Sequence, residues 1–223
     1  MRCSSSFENE ARKLGYRAVA GVDEAGRGSL FGSVVAAAVI LNPERPVRGL
    51  NDSKQLSPEQ REDLAFAIKE KSVAWSTGAS DAAEIDRINI YQASRLAMRR
   101  AVESLAVKAD YLLIDFMRID LNLPQESLIR GDERSRAIAA ASIIAKVHRD
   151  DCMRKWDALY PEYGLLRHKG YCAPEHLRAL EAHGPAPLHR FTYAPVGRLV
   201  LSLFPQQPVL FELEELEEVG ATE

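Results

Sequence analysis

The chain has 223 residues, of which 46% are hydrophobic and 27% are charged, as in an ordinary globular protein. A chain of this length buries roughly 70% of its unfolded surface, so it needs no disulfide staples. Its three cysteines (Cys3, Cys152 and Cys172) contain no CxxC pair, which argues against a disulfide scaffold and a cysteine zinc site. The longest apolar run, 34–41, has eight residues, whereas a membrane span needs about 20. Since the first residues also lack an apolar signal core, we expect a cytoplasmic protein with no membrane contact.

The net charge of −3 hides an uneven distribution. Residues 211–223 contain six glutamates and no lysine or arginine, so the rest of the chain has 29 basic and 26 acidic residues. Such a mildly positive body allows a polyanionic partner without requiring one. The acidic segment 205–223 is expected to be a frayed tail, and the alternative is a short helix that binds a protein partner.

Strands and helices alternate along the chain. Short apolar runs, partly β-branched, predict strands over 18–22, 34–41, 72–77, 111–114 and 127–129. Helical spacing of apolar residues predicts helices over 58–71, 90–107, 137–156 and 174–183. The first three strands are joined by short connections, which predicts that they are antiparallel. The pattern indicates an α/β fold with a mixed sheet and further helices at its C-terminal end.

Four carboxylates stand where predicted elements begin or end. Asp23 and Glu24 follow the first strand, Asp115 follows a second buried strand, and Asp132 precedes the long helix. Each has an ordinary alternative as a turn, strand-end or helix-cap residue. If the two strands are neighbours, however, their Cα atoms lie roughly 5 Å apart and Asp23 and Asp115 can share a divalent cation. Oxygen ligands without cysteine favour Mg²⁺ or Mn²⁺ over Zn²⁺.

A glycine-rich turn follows the first carboxylate pair. Gly26, Arg27 and Gly28 lack the lysine and serine or threonine of a Walker phosphate loop. Two glycines still allow a polymer backbone to approach closely. The sequence contains no GxSxG motif, which argues against a serine hydrolase.

Basic residues near an aromatic ring form a further candidate site. The segment 167–171 reads RHKGY, a combination that suits a sugar–phosphate chain, although a solvated basic loop has the same composition. Lys54, after a predicted turn, is a weaker candidate for holding a phosphate. His176 and His183 lie on a predicted helix and are interpreted as structural or solvent-facing.

Seven segments, taken together and in order, resemble the bacterial ribonuclease HII family over roughly residues 16–204. They are GVDEAGRG, VVAAAVIL, LNDSKQLSP, LLID, IRGDERSRAIAAASIIAKVHRD, YGLLRHKGY and HRFTYAPV. The departures from the family pattern are modest. Arg167 stands where a lysine is common, and Phe31 is bulky for its turn, which leaves the local loop geometry open.

The resemblance implies a ribonuclease H-like fold, a mixed central sheet flanked by helices with a C-terminal helical extension, in a catalytic domain over 1–204. It implies an endonuclease that cuts the RNA strand of RNA–DNA hybrids and incises 5′ of single ribonucleotides embedded in duplex DNA. Separately, we expect the protein to be a monomer. The family's ligands for two Mg²⁺ or Mn²⁺ ions fall on Asp23, Glu24, Asp115 and Asp132. Its substrate-binding residues fall on Gly26, Arg27, Gly28 and Tyr171, and we expect phosphate contacts from Lys54, Arg167 and Lys169.

Two other functions remain open from the sequence. The first is a binding module for nucleic acids that kept the fold without the activity. The second is a different metal-dependent enzyme on the same fold, such as a nuclease for DNA junctions. Clustered carboxylates argue against the first, because negative charge without a metal opposes binding of a polyanion.

Overall fold

The structure, a computed structural model, describes residues 3–51 and 53–203. Within these ranges the strands are β1 (Val19–Ala25), β2 (Val34–Ile40), β3 (Ala74–Ser80), β4 (Tyr111–Asp115) and β5 (Gln125–Leu128). The helices are α1 (Ser6–Lys13), α2 (Pro58–Lys71), α3 (Ala82–Glu103), α4 (Gly131–Arg134), α5 (Arg136–Leu159), α6 (Leu165–His168), α7 (Pro174–His183) and α8 (Ala194–Leu203). Two 3₁₀ turns lie at Ser53–Gln55 and Pro161–Tyr163.

The five strands form one mixed sheet in the order β3-β2-β1-β4-β5. Strands β1, β2 and β3 pair antiparallel, as predicted. Only the connection between β1 and β2 is short, because α2 lies between β2 and β3. Strand β4 is parallel to both β1 and β5. Val22 pairs with Ile114, so the next residues, Asp23 and Asp115, lie side by side on neighbouring strands and are still paired within the sheet. Strand β1 extends three residues beyond its predicted end at residue 22 and includes Asp23 and Glu24.

Helices cover both faces of the sheet, as predicted. On one face α3 packs its small residues, among them Ala93 and Ala97, against β1, β2 and β3. On the other face α5 crosses β1 and β2, supported by α2. At Gly21 in β1 a Cβ atom would overlap the backbone of Ala137. The absent side chain therefore allows α5 to lie directly on the central strand.

The C-terminal helices form a second packed unit around Phe31. This side chain is fully buried, and its ring makes edge-on contacts with His189 at 4.7 Å, Tyr160 at 5.7 Å and Trp156 at 5.9 Å between centroids. A backbone hydrogen bond from the Leu30 N–H to the Gly170 carbonyl joins the turn to this unit. The bulk of Phe31 thus anchors the turn rather than obstructing it.

Several element boundaries differ from the sequence prediction. Helix α3 begins at Ala82, capped by Asp81, instead of at residue 90. Its backbone is interrupted at Asn89 (φ 64°), whose side chain accepts a hydrogen bond from the Gln92 amide. Local periodicity found only the second half, because this internal cap resembles a true helix start. Strand β3 begins two residues later and ends three residues later than predicted, and α3 ends at Glu103 instead of residue 107.

Asp132 does not cap the long helix. It lies in the short helix α4, and Ser135 is the N-cap of α5. A side chain of α1, a helix that the sequence prediction missed, also stabilises the start of α5. This side chain is Glu8. Its Oε1 accepts hydrogen bonds from the Ser135 hydroxyl and the Ala137 amide at 2.7 Å each. Asp132 is therefore left for another role.

No helix in the described part of the chain is long and apolar enough to cross a bilayer. The predicted acidic tail, 205–223, lies outside the described residues.

Candidate active site

An open pocket of about 290 Å³ lies where β1 and β4 end. It gathers all four predicted carboxylates, the glycine-rich turn, Lys54 and the Tyr171 ring. Its lining comprises Asp23, Glu24, Ala25, Gly26, Arg27, Gly28, Ser53, Lys54, Arg61, Asp115, Asp132, Ser142, Lys146 and Tyr171. Residues from six separate segments of the chain thus meet in one place.

Two predicted phosphate-binding residues lie elsewhere. Arg167 lines a separate surface cavity together with Asp157 and Glu162. Lys169 is absent from the pocket lining, and its backbone carbonyl accepts a hydrogen bond from Arg149 at 3.1 Å. The backbone at Lys169 has a positive φ of 52°, which makes a tight turn before Tyr171.

Backbone hydrogen bonds orient the carboxylates. Asp23 is buried, and its Oδ1 accepts from the amide of Glu24 at 2.7 Å. The Oδ1 of Asp115 accepts from the Gly131 amide at 2.6 Å, which ties β4 to the segment that holds Asp132. These bonds leave other carboxylate oxygens available to the pocket.

Burial and mutual repulsion disfavour the charged form of these groups. Burial raises the pKa of Asp23 well above its ordinary value, and the charges of Glu24 and Asp115 raise it further. Burial raises the pKa of Glu24 to about 7, although the Arg27 guanidinium partly opposes the shift. Burial also raises the pKa of Asp115. Such shifts are typical of groups brought together for a function at a cost in stability.

The residues fit a divalent cation through their donor chemistry. Glu24 Oε2 is buried and has no hydrogen-bond partner among the described residues, so an oxygen donor is available. Two cationic side chains at the rim face the carboxylates, with Lys54 Nζ 3.4 Å from Asp132 Oδ2 and Arg27 Nη1 3.5 Å from Glu24 Oε1. In the described ranges no three acidic, histidine or cysteine side chains already form a metal cluster. Small side-chain movements would therefore accompany binding.

The glycine-rich turn is held from behind. Gly26 has a positive φ of 95°, and the buried Arg190 donates hydrogen bonds of 2.8 Å to the carbonyl oxygens of Gly26 and Arg27. The Tyr193 hydroxyl also donates to the Arg27 carbonyl. The carbonyl side of the turn is thus bound to the protein interior.

Tyr171 faces this turn across the pocket. Its ring is 40% exposed, and a Cβ atom placed on Gly28 would lie 3.9 Å from the ring. The guanidinium carbon of Arg149 lies 5.3 Å from the ring centroid, in a cation–π arrangement. A strand of nucleic acid entering the pocket would meet the ring and the turn together.

Several lining residues were missed by the sequence prediction. Ser142 and Lys146 lie one helical turn apart on α5, and Lys146 pairs with Asp150 at 2.7 Å, one further turn along. This spacing of four residues was the available signal. Arg61 of α2 gave no comparable signal, because only the tertiary fold brings it to the pocket.

Comparison with known proteins gives a consistent result. The family model described as Ribonuclease HII matches residues 20–196. A ribonuclease HII from Solibacter usitatus is 62% identical over 195 residues, which cover 87% of this chain and 86% of the relative. A ribonuclease HII from Enterococcus faecalis is 53% identical over 196 residues, which cover 88% and 77%.

A solved structure agrees with the sequence comparisons. The ribonuclease H2 from Pyrococcus horikoshii OT3 superposes with a TM-score of 0.72 at 25% identity, covering 86% of this chain and all of that one. The fold is therefore ribonuclease H-like, as the sequence resemblance implied. Since the family model matches most of the chain and these relatives are identical at more than half of the aligned residues, the chain belongs to the ribonuclease HII family, whose members are metal-dependent endoribonucleases.

Proposed function

We propose that this chain hydrolyses the RNA strand of RNA–DNA hybrids and also incises duplex DNA on the 5′ side of single embedded ribonucleotides. Family membership supports the activity on hybrids. The finer specificity rests mainly on one observation. The carboxylates share a pocket with the Gly26–Gly28 turn and with the exposed face of Tyr171.

In this proposal Asp23, Glu24, Asp115 and Asp132 would hold two divalent ions, Mg²⁺ or Mn²⁺. Their oxygen-only donor set and the unpartnered Glu24 Oε2 support the assignment. When bound, such ions supply a water of lowered pKa and positive charge at the leaving 3′-oxygen. Hydrolysis leaves a 3′-hydroxyl and a 5′-phosphate.

The protein's own residues bind and orient the substrate. The 2′-hydroxyl is the general feature that distinguishes RNA from DNA at one nucleotide. The Gly26–Gly28 backbone contacts this hydroxyl, and glycines permit the close approach. Tyr171 packs on the adjoining deoxyribose, where a second 2′-hydroxyl fits less well, so a continuous hybrid is a poorer substrate than a single ribonucleotide. Lys54 and Arg27 at the rim contact phosphates, whose recognition is independent of base sequence.

The test is cleavage of a labelled DNA duplex that contains one ribonucleotide, with Mg²⁺, Mn²⁺ or a chelator. An all-DNA duplex of the same sequence is the control, and a continuous RNA–DNA hybrid measures the coarser activity. We expect metal-dependent incision 5′ of the ribonucleotide and an intact control. Folded protein that cuts the hybrid but not the single ribonucleotide would refute the finer specificity. Absence of cleavage on both would favour a non-catalytic binding module.

A further inference from the structure

A single buried side chain touches both elements of the proposed junction recognition. Arg149, in the middle of α5, is fully buried. On one side its guanidinium lies beneath the Tyr171 ring. On the other side it packs so closely against Gly26 that any Cβ atom there would overlap it. Arg149 is therefore a physical link between the glycine-rich turn and the ring opposite.

Arg149 also holds the tight turn that leads into Tyr171. Its Nη2 donates to the carbonyl oxygen of Lys169 at 3.1 Å, and its Nε lies 3.4 Å from the carbonyl oxygen of Ser33. Lys169 and Gly170 both have positive φ angles, 52° and 75°. The guanidinium thus fixes the backbone two residues before the ring as well as the ring face.

Stability alone does not account for a charge at this place. Burial lowers the pKa of Arg149, and its Nη1 is buried without a hydrogen-bond partner among the described residues. No carboxylate in the described part of the chain forms an ion pair with it. Removing a charge from water without an ion-pair partner is costly, and an apolar side chain of similar size usually packs at least as well.

We propose that Arg149 is a positioning residue that sets the distance between Tyr171 and the Gly26 turn, and thereby sets the preference for a ribonucleotide followed by a deoxyribonucleotide. The proposal rests on the function proposed above. Small displacements of positioning groups have large effects on rate, because reacting groups must meet within a narrow range of geometry. The flat, forked guanidinium contacts the ring and the carbonyls at once, which a lysine ammonium does not.

The experiment compares Arg149→Met and Arg149→Lys with the wild type on two substrates, a DNA duplex with one ribonucleotide and a continuous RNA–DNA hybrid. We expect the ratio of kcat/KM values, single ribonucleotide over hybrid, to fall roughly tenfold in both variants. Met153→Ala is the matched control, since Met153 is also buried on α5 but belongs to the cluster around Phe31. This control should lose stability and keep the ratio. A ratio unchanged in Arg149→Lys would overturn the proposal.

A double-mutant cycle with Tyr171→Ala separates positioning from general damage. If Arg149 acts through the ring, its replacement should change the ratio little once the ring is absent. Full additivity of the two changes would contradict the proposal, because it would show that Arg149 acts independently of Tyr171.

Fluorine NMR of protein labelled with 3-fluorotyrosine provides a readout that does not need activity. The Tyr171 signal is assigned by its absence from Tyr171→Phe. In Arg149→Lys we expect this signal to shift or broaden, while the signal in Met153→Ala stays near its wild-type position. A wild type that does not prefer single ribonucleotides would refute the proposed specificity, whereas an unmoved Tyr171 signal would refute the positioning role.

Discussion

Arg190 donates a 2.8 Å hydrogen bond from Nη2 to the carbonyl oxygen of Gly26, a residue 164 positions earlier in the chain. Its Nη1 reaches Arg27 and its Nε reaches the carbonyl of Gly32. All three nitrogens of the guanidinium thus hold the connection between β1 and β2. The C-terminal helical extension is therefore part of the framework of the candidate active-site pocket, because it supplies the donors that the turn carbonyls need inside the protein.

The two glycines of the turn should respond differently to alanine. Gly26→Ala forces a left-handed φ on a side chain that overlaps Arg149, so the free energy of unfolding should fall by about 2 kcal/mol or more. Gly28→Ala meets nothing closer than the Tyr171 ring at 3.9 Å, so it should fold normally. Its added methyl group should nevertheless raise KM for the ribonucleotide duplex. Equal stability losses in urea unfolding would contradict this distinction.

Replacing one of the proposed metal ligands should abolish cleavage without unfolding the protein. Asp23→Asn removes a buried negative charge that Glu24 and Asp115 repel. In chelator its free energy of unfolding should rise, by about 1 kcal/mol. Added Mn²⁺ should stabilise the wild type, since a ligand that binds the native state raises the melting temperature, but should stabilise this variant less. Normal cleavage at fixed Mg²⁺ would remove Asp23 from the ligand set.

A buried histidine pair predicts a specific loss of stability in acid. The Ala186 amide donates to His189 Nδ1, so the neutral ring offers its Nε2 proton to His176 Nε2, 3.1 Å away. His176 in turn donates from Nδ1 to the Tyr171 carbonyl at 2.9 Å. Burial and, to a smaller extent, the neighbouring His176 lower the pKa of His189 to about 4, although a backbone hydrogen bond at Ala186 partly opposes the shift.

The sign of the effect follows from the unfolded pKa of about 6.5. Between pH 6.5 and pH 4 the unfolded state binds more protons at His189 than the folded state does. The contribution of neutral His189 to the free energy of unfolding is therefore fully present above pH 6.5 and is lost as the pH falls toward 4. The loss is about 3 kcal/mol at most. The free energy of unfolding, measured in urea, should differ less between pH 7 and pH 4.5 in His189→Gln than in the wild type. His183→Gln, at an exposed position, should keep the wild-type difference.

Lys54 and Arg167 should differ in their contribution to nucleic-acid binding. Lys54 lines the catalytic pocket, whereas Arg167 lines a separate cavity. Binding of the ribonucleotide duplex in chelator, measured over a range of salt, gives the slope of log K against log salt. Lys54→Ala should reduce this slope by about 0.9, the value for one phosphate contact, and Arg167→Ala should leave it unchanged. An equal change of slope in the two variants would show that Arg167 also contacts a phosphate.

Phe116, next to Asp115, has a left-handed backbone (φ 60°) and a ring that is 56% exposed. A residue with a Cβ atom is strained in this region, and glycine is not. Phe116→Gly should therefore raise the free energy of unfolding by about 1 kcal/mol. Phe116→Ala also removes the ring but keeps the Cβ atom, so it should show no such gain. Equal stability of the two variants would show that the backbone stores no strain there.

Sequence patterns that span only a few residues were sufficient to predict much of the fold. Short apolar runs located β1 and β2, and helical spacing placed the start of α2 at residue 58, where the structure shows a capping box formed by Ser57 and Gln60. The internal cap at Asn89 hid the first half of α3, since a local pattern does not reveal whether a helix continues behind its cap. The sequence prediction missed α1 and α8 because neither has a strong local signal in the sequence.

The sequence by itself determined the family, the mixed α/β architecture and the four candidate carboxylates, because motif order, periodicity and strand-end acids are readable along the chain. Only the tertiary structure decided that β4 pairs with β1, that Arg167 lies outside the pocket, and that Arg149 and Arg190 stand behind Gly26. These facts depend on strand register and on contacts between residues more than a hundred positions apart. No local pattern encodes such contacts, since they exist only once the sheet and its helices have packed together.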